Sequence, residues 1–221
     1  MKRLFISREL ASDGFLMKQL LAHDFEVKAC SLLEFKAIPF LVVPPCDWIF
    51  FYSKNAVAFF LDQQDSLDSN VKLAAFGPGT ARALHQRNQA TDFVGNGKVE
   101  DTASRFTEVA LHQTVLFPRA LHSLQSIQRR MPATVESIDL IVYSNTIRPN
   151  FDLPETDFLV LTSPMNARAY FARYTPTPQQ KILAIGPSTA KALLELGIEK
   201  VAIAPSPSEA SIWDLLQELI Q

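Results

Sequence analysis

Glycine is scarce in this chain: 221 residues contain seven. No G-x-G-x-x-G run exists, and no glycine-rich loop carries the lysine of a phosphate-binding loop, so the two commonest nucleotide fingerprints are absent. Cysteine is rarer still. Cys30 and Cys46 have neither metal nor redox spacing and are expected to be ordinary free thiols. The four histidines, His23, His85, His112 and His122, fall on or beside expected helices and show no metal-ligand spacing. A formal net charge of −2 supplies no bulk basic field to recruit nucleic acid. No apolar run is long enough for a signal peptide or a membrane span, so a cytoplasmic protein with no membrane contact is expected.

What the chain does have is apolar mass and a repetition. Hydrophobic residues make up 48% of it and sixteen residues are Phe, enough for two cores. Lys72–Leu84, KLAAFGPGTARAL, recurs as Lys181–Leu193, KILAIGPSTAKAL, with eight of thirteen positions identical at an offset of 109. Ser53, ending Trp48-Ile49-Phe50-Phe51-Tyr52, has a counterpart in Ser163, 110 residues on. Arg8, after Leu4-Phe5-Ile6-Ser7, has one in Arg119, 111 residues on. Solenoid repeats run at about 20–50 residues, so a period this long means two related domains. Two related domains suggest a cleft between them, and clefts hold ligands.

Each half reads as short apolar strands alternating with helices, which predicts parallel sheets covered on both faces. Leu4–Ser7 and Phe25–Ala29 read as strands, with a helix over 12–21 between them. Pro39, Pro44 and Pro45 interrupt the chain after Phe35, and Pro149 and Pro154 follow the alternating stretch Ile138–Tyr143. Two organisations fit these signals. One is a tandem pair, 1–112 and 113–221. The other is a discontinuous domain, 1–36 plus 147–221, around a continuous one, 40–136, with connecting strands at 37–39 and 137–146. The preference of sequential elements to pack together favours the tandem pair slightly.

The strand-to-helix turns carry the candidate chemistry. Gly77-Pro78-Gly79-Thr80 and Gly186-Pro187-Ser188-Thr189 each follow an apolar strand and open a helix, with proline at the favoured first helical position. Free N–H groups, the positive end of a helix dipole and a threonine hydroxyl make an anion site in outline, suited to carboxylate or phosphate. Ser53 and Ser163 read first as N-caps; no flanking glycines form a nucleophile elbow. Arg8, Lys54, Arg82, Arg119, Arg148, Arg168, Lys181 and Lys191 lie on or near such turns. They suggest a positive edge for a polyanionic ligand in a chain of nearly neutral charge.

The motifs Asp47–Val57, DWIFFYSKNAV; Phe76–Ala81, FGPGTA; Val142-Tyr143; Thr162-Ser163-Pro164; and Ala184–Ala190, AIGPSTA, occur together and in order over nearly the whole chain. In this the sequence resembles the uroporphyrinogen-III synthase family. The resemblance implies two α/β domains joined by a two-stranded ladder, one of them discontinuous, which decides between the two organisations. It implies a lyase of tetrapyrrole biosynthesis. Such an enzyme closes the linear tetrapyrrole hydroxymethylbilane to uroporphyrinogen III with loss of water and inversion of the last ring, and uses no metal or organic cofactor. A cleft protein that binds a polyanion without turnover is the alternative.

By position, Tyr143 matches the family tyrosine thought to assist departure of the hydroxyl group. Ser53, Thr80, Ser163, Thr189 and Lys181 match positions that contact the substrate. Lys54, Asn55, Gly77, Gly186, Ser188 and Arg8 join them as candidate contacts on the same turns. The expected partner is the small-molecule substrate, with transient contact to the preceding pathway enzyme, and the expected state is a monomer. Two departures stand out. Asn145 stands where family members often have threonine, and the segments 35–47 and 148–157 are short.

Overall fold

In the computed structural model, which describes residues 1–64 and 66–220, the chain divides into two compact units, Met1–Glu34 with Thr146–Gln221, and Phe35–Asn145. Asp65 and Gln221 fall inside the expected domain ranges and lie outside the described residues. In chain order the first unit begins with β1 (Lys2–Ile6), α1 (Phe15–Ala22) and β2 (Phe25–Ala29), and β3 (Leu33–Ala37) carries the chain into the second. There follow β4 (Trp48–Phe51), α2 (Lys54–Leu61), β5 (Lys72–Ala75), α3 (Pro78–His85), β6 (Phe93–Val94), α4 (Val99–Ala110) and β7 (Thr114–Ala120). A single 3-10 turn (Gln128–Arg130) precedes β8 (Glu136–Ile147), which returns the chain to the first unit. That unit is completed by β9 (Phe158–Leu161), α5 (Pro164–Phe171), β10 (Lys181–Ala184), α6 (Pro187–Glu195), β11 (Val201–Ile203) and α7 (Glu209–Ile220).

The first unit holds a five-stranded parallel sheet of order β11-β10-β9-β1-β2. The order reverses between β1 and β9, which makes that pair the switch point. The second unit holds a six-stranded sheet of order β3-β8-β7-β4-β5-β6, reversing between β4 and β7. Its strands from β8 to β6 are parallel. Ile38 N–H donates to the Val142 carbonyl at 3.0 Å and Arg148 N–H to the Leu32 carbonyl at 2.9 Å. One index rises as the other falls, so β3 and β8 run antiparallel.

Strands buried on both faces need apolar residues at every position rather than every second one. In β4, Trp48-Ile49-Phe50-Phe51, all four are buried. Trp48 and Phe50 pack with Phe106 of α4 and Phe117, while Ile49 and Phe51 pack with Val57 and Phe60 of α2. Fully burying one such phenylalanine is worth about 1.5–3 kcal/mol. In the first unit Leu4, Ile6, Val160 and Leu183 face Leu16 and Leu20 of α1 and Ile212 and Leu216 of α7.

Several boundaries differ from the sequence reading. The helix expected from Ser12 starts at Phe15, because the Leu16 N–H in its first turn finds its acceptor in the Glu209 carboxylate at 3.0 Å, 193 residues away. The connecting strand expected at 37–39 is β3, Leu33–Ala37, and the second begins at Glu136. A unit ending at 136 would omit β8, whose residues 136–141 and 143 pair with β7.

Candidate active site

In parallel α/β sheets ligands bind outside the carboxyl ends of the strands, where the strand order reverses. Ser53, Lys54, Asn55, Gly77, Thr80, Ser163, Gly186, Ser188 and Thr189 lie at that edge of their own unit, because they follow a strand and open the next helix; Arg8 follows β1 without opening a helix, and Tyr143 lies within β8.

In the second unit Ser53 caps α2 and its Oγ accepts the Ala56 N–H at 3.2 Å. The same Oγ lies 3.4 Å from the hydroxyl of Tyr143 on β8. The Tyr143 ring is stacked on Phe59, with centroids 5.0 Å apart, and tilted against Phe35. An exposed strand tyrosine would be unremarkable, but Tyr143 is only 7% exposed. Burial pushes its pKa above the ordinary tyrosine value, and the Ser53 contact offsets this in part. Tyr143 is therefore an immobilised neutral phenol. Lys54 is exposed at the first position of α2, and its Cε would lie 3.8 Å from a Cβ built on Gly79. That places its chain against the start of α3. Asn55 follows it, half-buried.

No side chain caps α3 or α6, which both begin with proline after an extended glycine. Proline has no N–H, and the Thr80 and Thr189 N–H groups turn back to the Gly77 and Gly186 carbonyls, so the first-turn donors left without an intrahelical acceptor are the N–H groups of Gly79 and Ser188. The two copies differ in packing. A Cβ on Gly77 would meet the backbone of Gly97 at 3.2 Å, whereas one on Gly186 would meet nothing within 4 Å. Thr80 is buried and its N–H turns back to the Gly77 carbonyl at 3.0 Å. Thr189 is 1% exposed and its buried Oγ1 has no hydrogen-bond partner, while Ser188 beside it is exposed.

In the first unit Ser163 caps α5, accepting the Asn166 N–H at 3.1 Å and its side-chain amide at 3.0 Å. Arg8 stands at the switch point beyond β1. Lys181 does not join this group. It opens β10, exposed, at the edge opposite the Gly186 turn. A strand of that length puts about 13 Å between the two. The expectation that Lys181 shares the turn is corrected: homologous sequence position is not proximity when a strand intervenes. Among the other cations, Arg168 is paired with Glu195 and Arg119 with Asp139.

Two features escaped the sequence reading. At the first unit's switch point Ser7 and Thr162 are knit together: Thr162 N–H donates to Ser7 Oγ at 2.8 Å and Thr162 Oγ1 donates to the Ser7 carbonyl at 2.9 Å. In the second, Asp139 accepts from Arg119 Nε and Nη2 at 2.8 and 2.9 Å, and from Gln125 and Gln128. The Tyr52 hydroxyl accepts the N–H groups of Ile127 and Gln128, so the loop after β7 is folded over that switch point. Asp139 sits inside an alternating strand, a pattern that reads as solvated surface. A concavity of the second unit lies elsewhere, a space of about 330 Å³ among Val43, Pro45, Cys46 and Leu67. It is at the amino edge of the strands, and burial pushes its thiol, Cys46, up to about 11, so it offers neither a nucleophile nor the expected anion donors. Among the described residues no group of three or more His, Cys, Asp or Glu could hold a metal ion.

The family model described as uroporphyrinogen-III synthase HemD matches residues 15–214 of this chain. The structure is similar to that of uroporphyrinogen-III synthetase from Helicobacter pylori 26695, with 21% identity over 99% of each chain and a TM-score of 0.76. It is also similar to a mutant uroporphyrinogen III synthase from the extremely thermophilic bacterium Thermus thermophilus, with 15% identity over 100% of this chain and 99% of that one and a TM-score of 0.59. At such identities these likenesses carry the fold alone. No curated protein matches the chain.

Proposed function

The chain belongs to the uroporphyrinogen-III synthase HemD family, and from that premise we propose how its turns and its buried tyrosine carry out the reaction. The enzyme is a lyase of tetrapyrrole biosynthesis: it closes hydroxymethylbilane to uroporphyrinogen III with loss of water and inversion of the last ring. No observation favours the alternative of a binding protein without turnover.

The substrate carries an acetate and a propionate on each pyrrole. Ser53, Lys54, Asn55, Gly77 and Thr80 in one unit, and Arg8, Ser163, Gly186, Ser188 and Thr189 in the other, supply N–H groups, hydroxyls and two cations for these carboxylates. Helix N-termini favour anions through their unpaired N–H groups and dipole. Lys181, on the opposite edge, is left out of this set.

The reaction begins when a pyrrole nitrogen pushes out the hydroxyl group, leaving an electrophilic azafulvene. Departing hydroxide needs a proton, and the neutral phenol of Tyr143 donates it. The single observation that carries this role is the Ser53–Tyr143 contact, which fixes that hydroxyl at a strand-to-helix turn. Ring closure then becomes a matter of positioning. The open chain in water tends to close without inversion, and the turns must hold it so that the substituted carbon of the last ring attacks first.

The protein acts as a monomer in the cytoplasm, with transient contact to the enzyme that releases hydroxymethylbilane, since a substrate that closes by itself profits from a short path. No helix among the described residues is long and apolar enough to cross a membrane. The test is incubation with freshly made hydroxymethylbilane and separation of the isomers. Uroporphyrinogen III should dominate; the I isomer at the uncatalysed rate would reject the activity.

A further inference from the structure

Arg8 and Arg119 occupy equivalent strand ends in the two units, yet their surroundings differ in kind. Arg119 is saturated. Its fork takes both oxygens of Asp139 at 2.8 and 2.9 Å, its Nη1 donates to the Ala120 carbonyl at 3.0 Å, and its side chain is 11% exposed. These are ordinary lengths for a charge-assisted pair, about 2.7–2.9 Å. The pairing raises its pKa, the Asp139 hydrogen bonds being the main cause.

Arg8 is under-supplied. Among the described residues its ion pair is to Glu209 Oε1, at 3.5 Å, and its Nε is buried with no hydrogen-bond partner. Burial is the main influence on it and lowers its pKa, with Glu209 opposing. Leaving a charged donor buried and unpaired is costly, and such a group is explained by strain, a water, an ion, or a ligand or function that supplies the missing acceptor. Glu209 cannot serve Arg8 fully. Its other oxygen is committed to the Leu16 N–H at 3.0 Å, where it holds the first turn of α1. One carboxylate thus bridges two donors and fits the nearer one. Arg8 also directly follows Ser7 at the β1/β9 switch point, where ligands of such sheets lie.

We infer that Arg8 and Glu209 form a carboxylate exchange latch: a substrate carboxylate takes the fork of Arg8, and Glu209 is the weaker acceptor it displaces. This rests on the proposed function and deepens it, by giving the first unit a bidentate carboxylate subsite whose affinity is set by an internal competitor. The second unit has no such subsite on Arg119, because Asp139 already fills that fork. Guanidinium recognises a carboxylate through two parallel N–H bonds, which lysine cannot reproduce.

The experiment measures binding of uroporphyrin III, a stable product-like molecule with the same acetates and propionates, by quenching of tryptophan fluorescence. Full-length wild type, R8K, R8Q and E209Q are compared, with melting temperature measured alongside. A charge-assisted contact of this kind corresponds to about tenfold or more in affinity. R8Q should raise Kd by that factor, R8K should recover only part of it, and E209Q should lower Kd because the competitor has lost its charge. Wild-type Kd in R8Q would overturn the latch. So would an unchanged or raised Kd in E209Q, which is the deciding variant should R8Q fail to fold. The readout needs no turnover. A wild type that binds and responds to these substitutions but makes no uroporphyrinogen III would sink the enzymatic reading and leave the latch standing.

Discussion

Ser53 Oγ and Tyr143 Oη lie 3.4 Å apart although 90 residues separate them. The helix cap uses an acceptor lone pair of Ser53, not its proton. Ser53 can therefore donate to the Tyr143 oxygen, which leaves the phenol proton free to go to a departing hydroxide and stabilises the phenolate that results.

Tyr143→Phe keeps the ring against Phe59 and removes only the donor. Turnover should fall by about 10²–10⁴-fold, with the product still the III isomer and the melting temperature nearly unchanged. Because the pKa is raised, the phenol stays protonated through the ordinary tyrosine range, so activity that depends on it should fall only above that range. Steady-state rates against pH, with isomer analysis, decide this. A normal rate in the phenylalanine variant removes the acid role; a normal rate with mostly I isomer makes Tyr143 a steering residue.

On the proposed site, Thr80→Ala and Thr189→Ala would each remove one hydroxyl contact to a substrate carboxylate, worth about 0.5–1.5 kcal/mol. KM should rise severalfold in each and further in the double variant, while backbone donors keep binding from vanishing. Thr189→Ala should lose no hydrogen-bond stability, because its Oγ1 is buried without a partner, and only the modest cost of its buried methyl should remain. Kinetics of the double variant identical to wild type would leave these threonines with a packing role alone.

The two turn glycines should respond differently to a methyl group. Gly77→Ala presses on the Gly97 backbone at 3.2 Å and should destabilise by about 1 kcal/mol or more, as overpacking does. Gly186→Ala meets open space at an extended backbone, so stability should hold or rise slightly. If a carboxylate rests on that turn, KM should nonetheless increase. Thermal melts and KM of both variants make the comparison, and an unchanged KM in Gly186→Ala argues against a ligand there.

Asp139 titrates below the usual carboxylate range, chiefly through its hydrogen bonds from Arg119. A depressed folded pKa adds stability above the unfolded pKa, about 3.9, and that stability is lost as pH falls through the folded value. Melting temperature should therefore drop as pH falls below about 4, and Asp139→Asn should flatten that part of the profile. The carboxylate is partly exposed, so the effect is modest and should shrink in high salt. Equal slopes in the two proteins would show that Asp139 does not hold the loop after β7 through its charge.

Much of this protein was legible in the chain alone. The offset of 109 between the two Gly-Pro turns follows from local sequence, and so do the apolar strands and the Ser53 and Ser163 caps, because each depends on neighbours within a few residues. The motifs that carry the family resemblance are local in the same sense. The tertiary structure decided what depends on residues distant in sequence. Tyr143 is buried rather than exposed because β8 lies beside β3, bringing Phe35 near it, and because α2 stacks Phe59 on its ring. The start of α1 is set by Glu209 from the far end of the chain. Lys181 and the Gly186 turn are close in sequence and separated by a strand. Arg8 and Arg119 are equivalent in the repeat, but only the fold shows one carboxylate seated squarely on its arginine and the other shared with a helix. Sequence periodicity specifies which edge a side chain reaches; the charge and hydrogen-bond balance it meets there is a sum over groups that periodicity does not order.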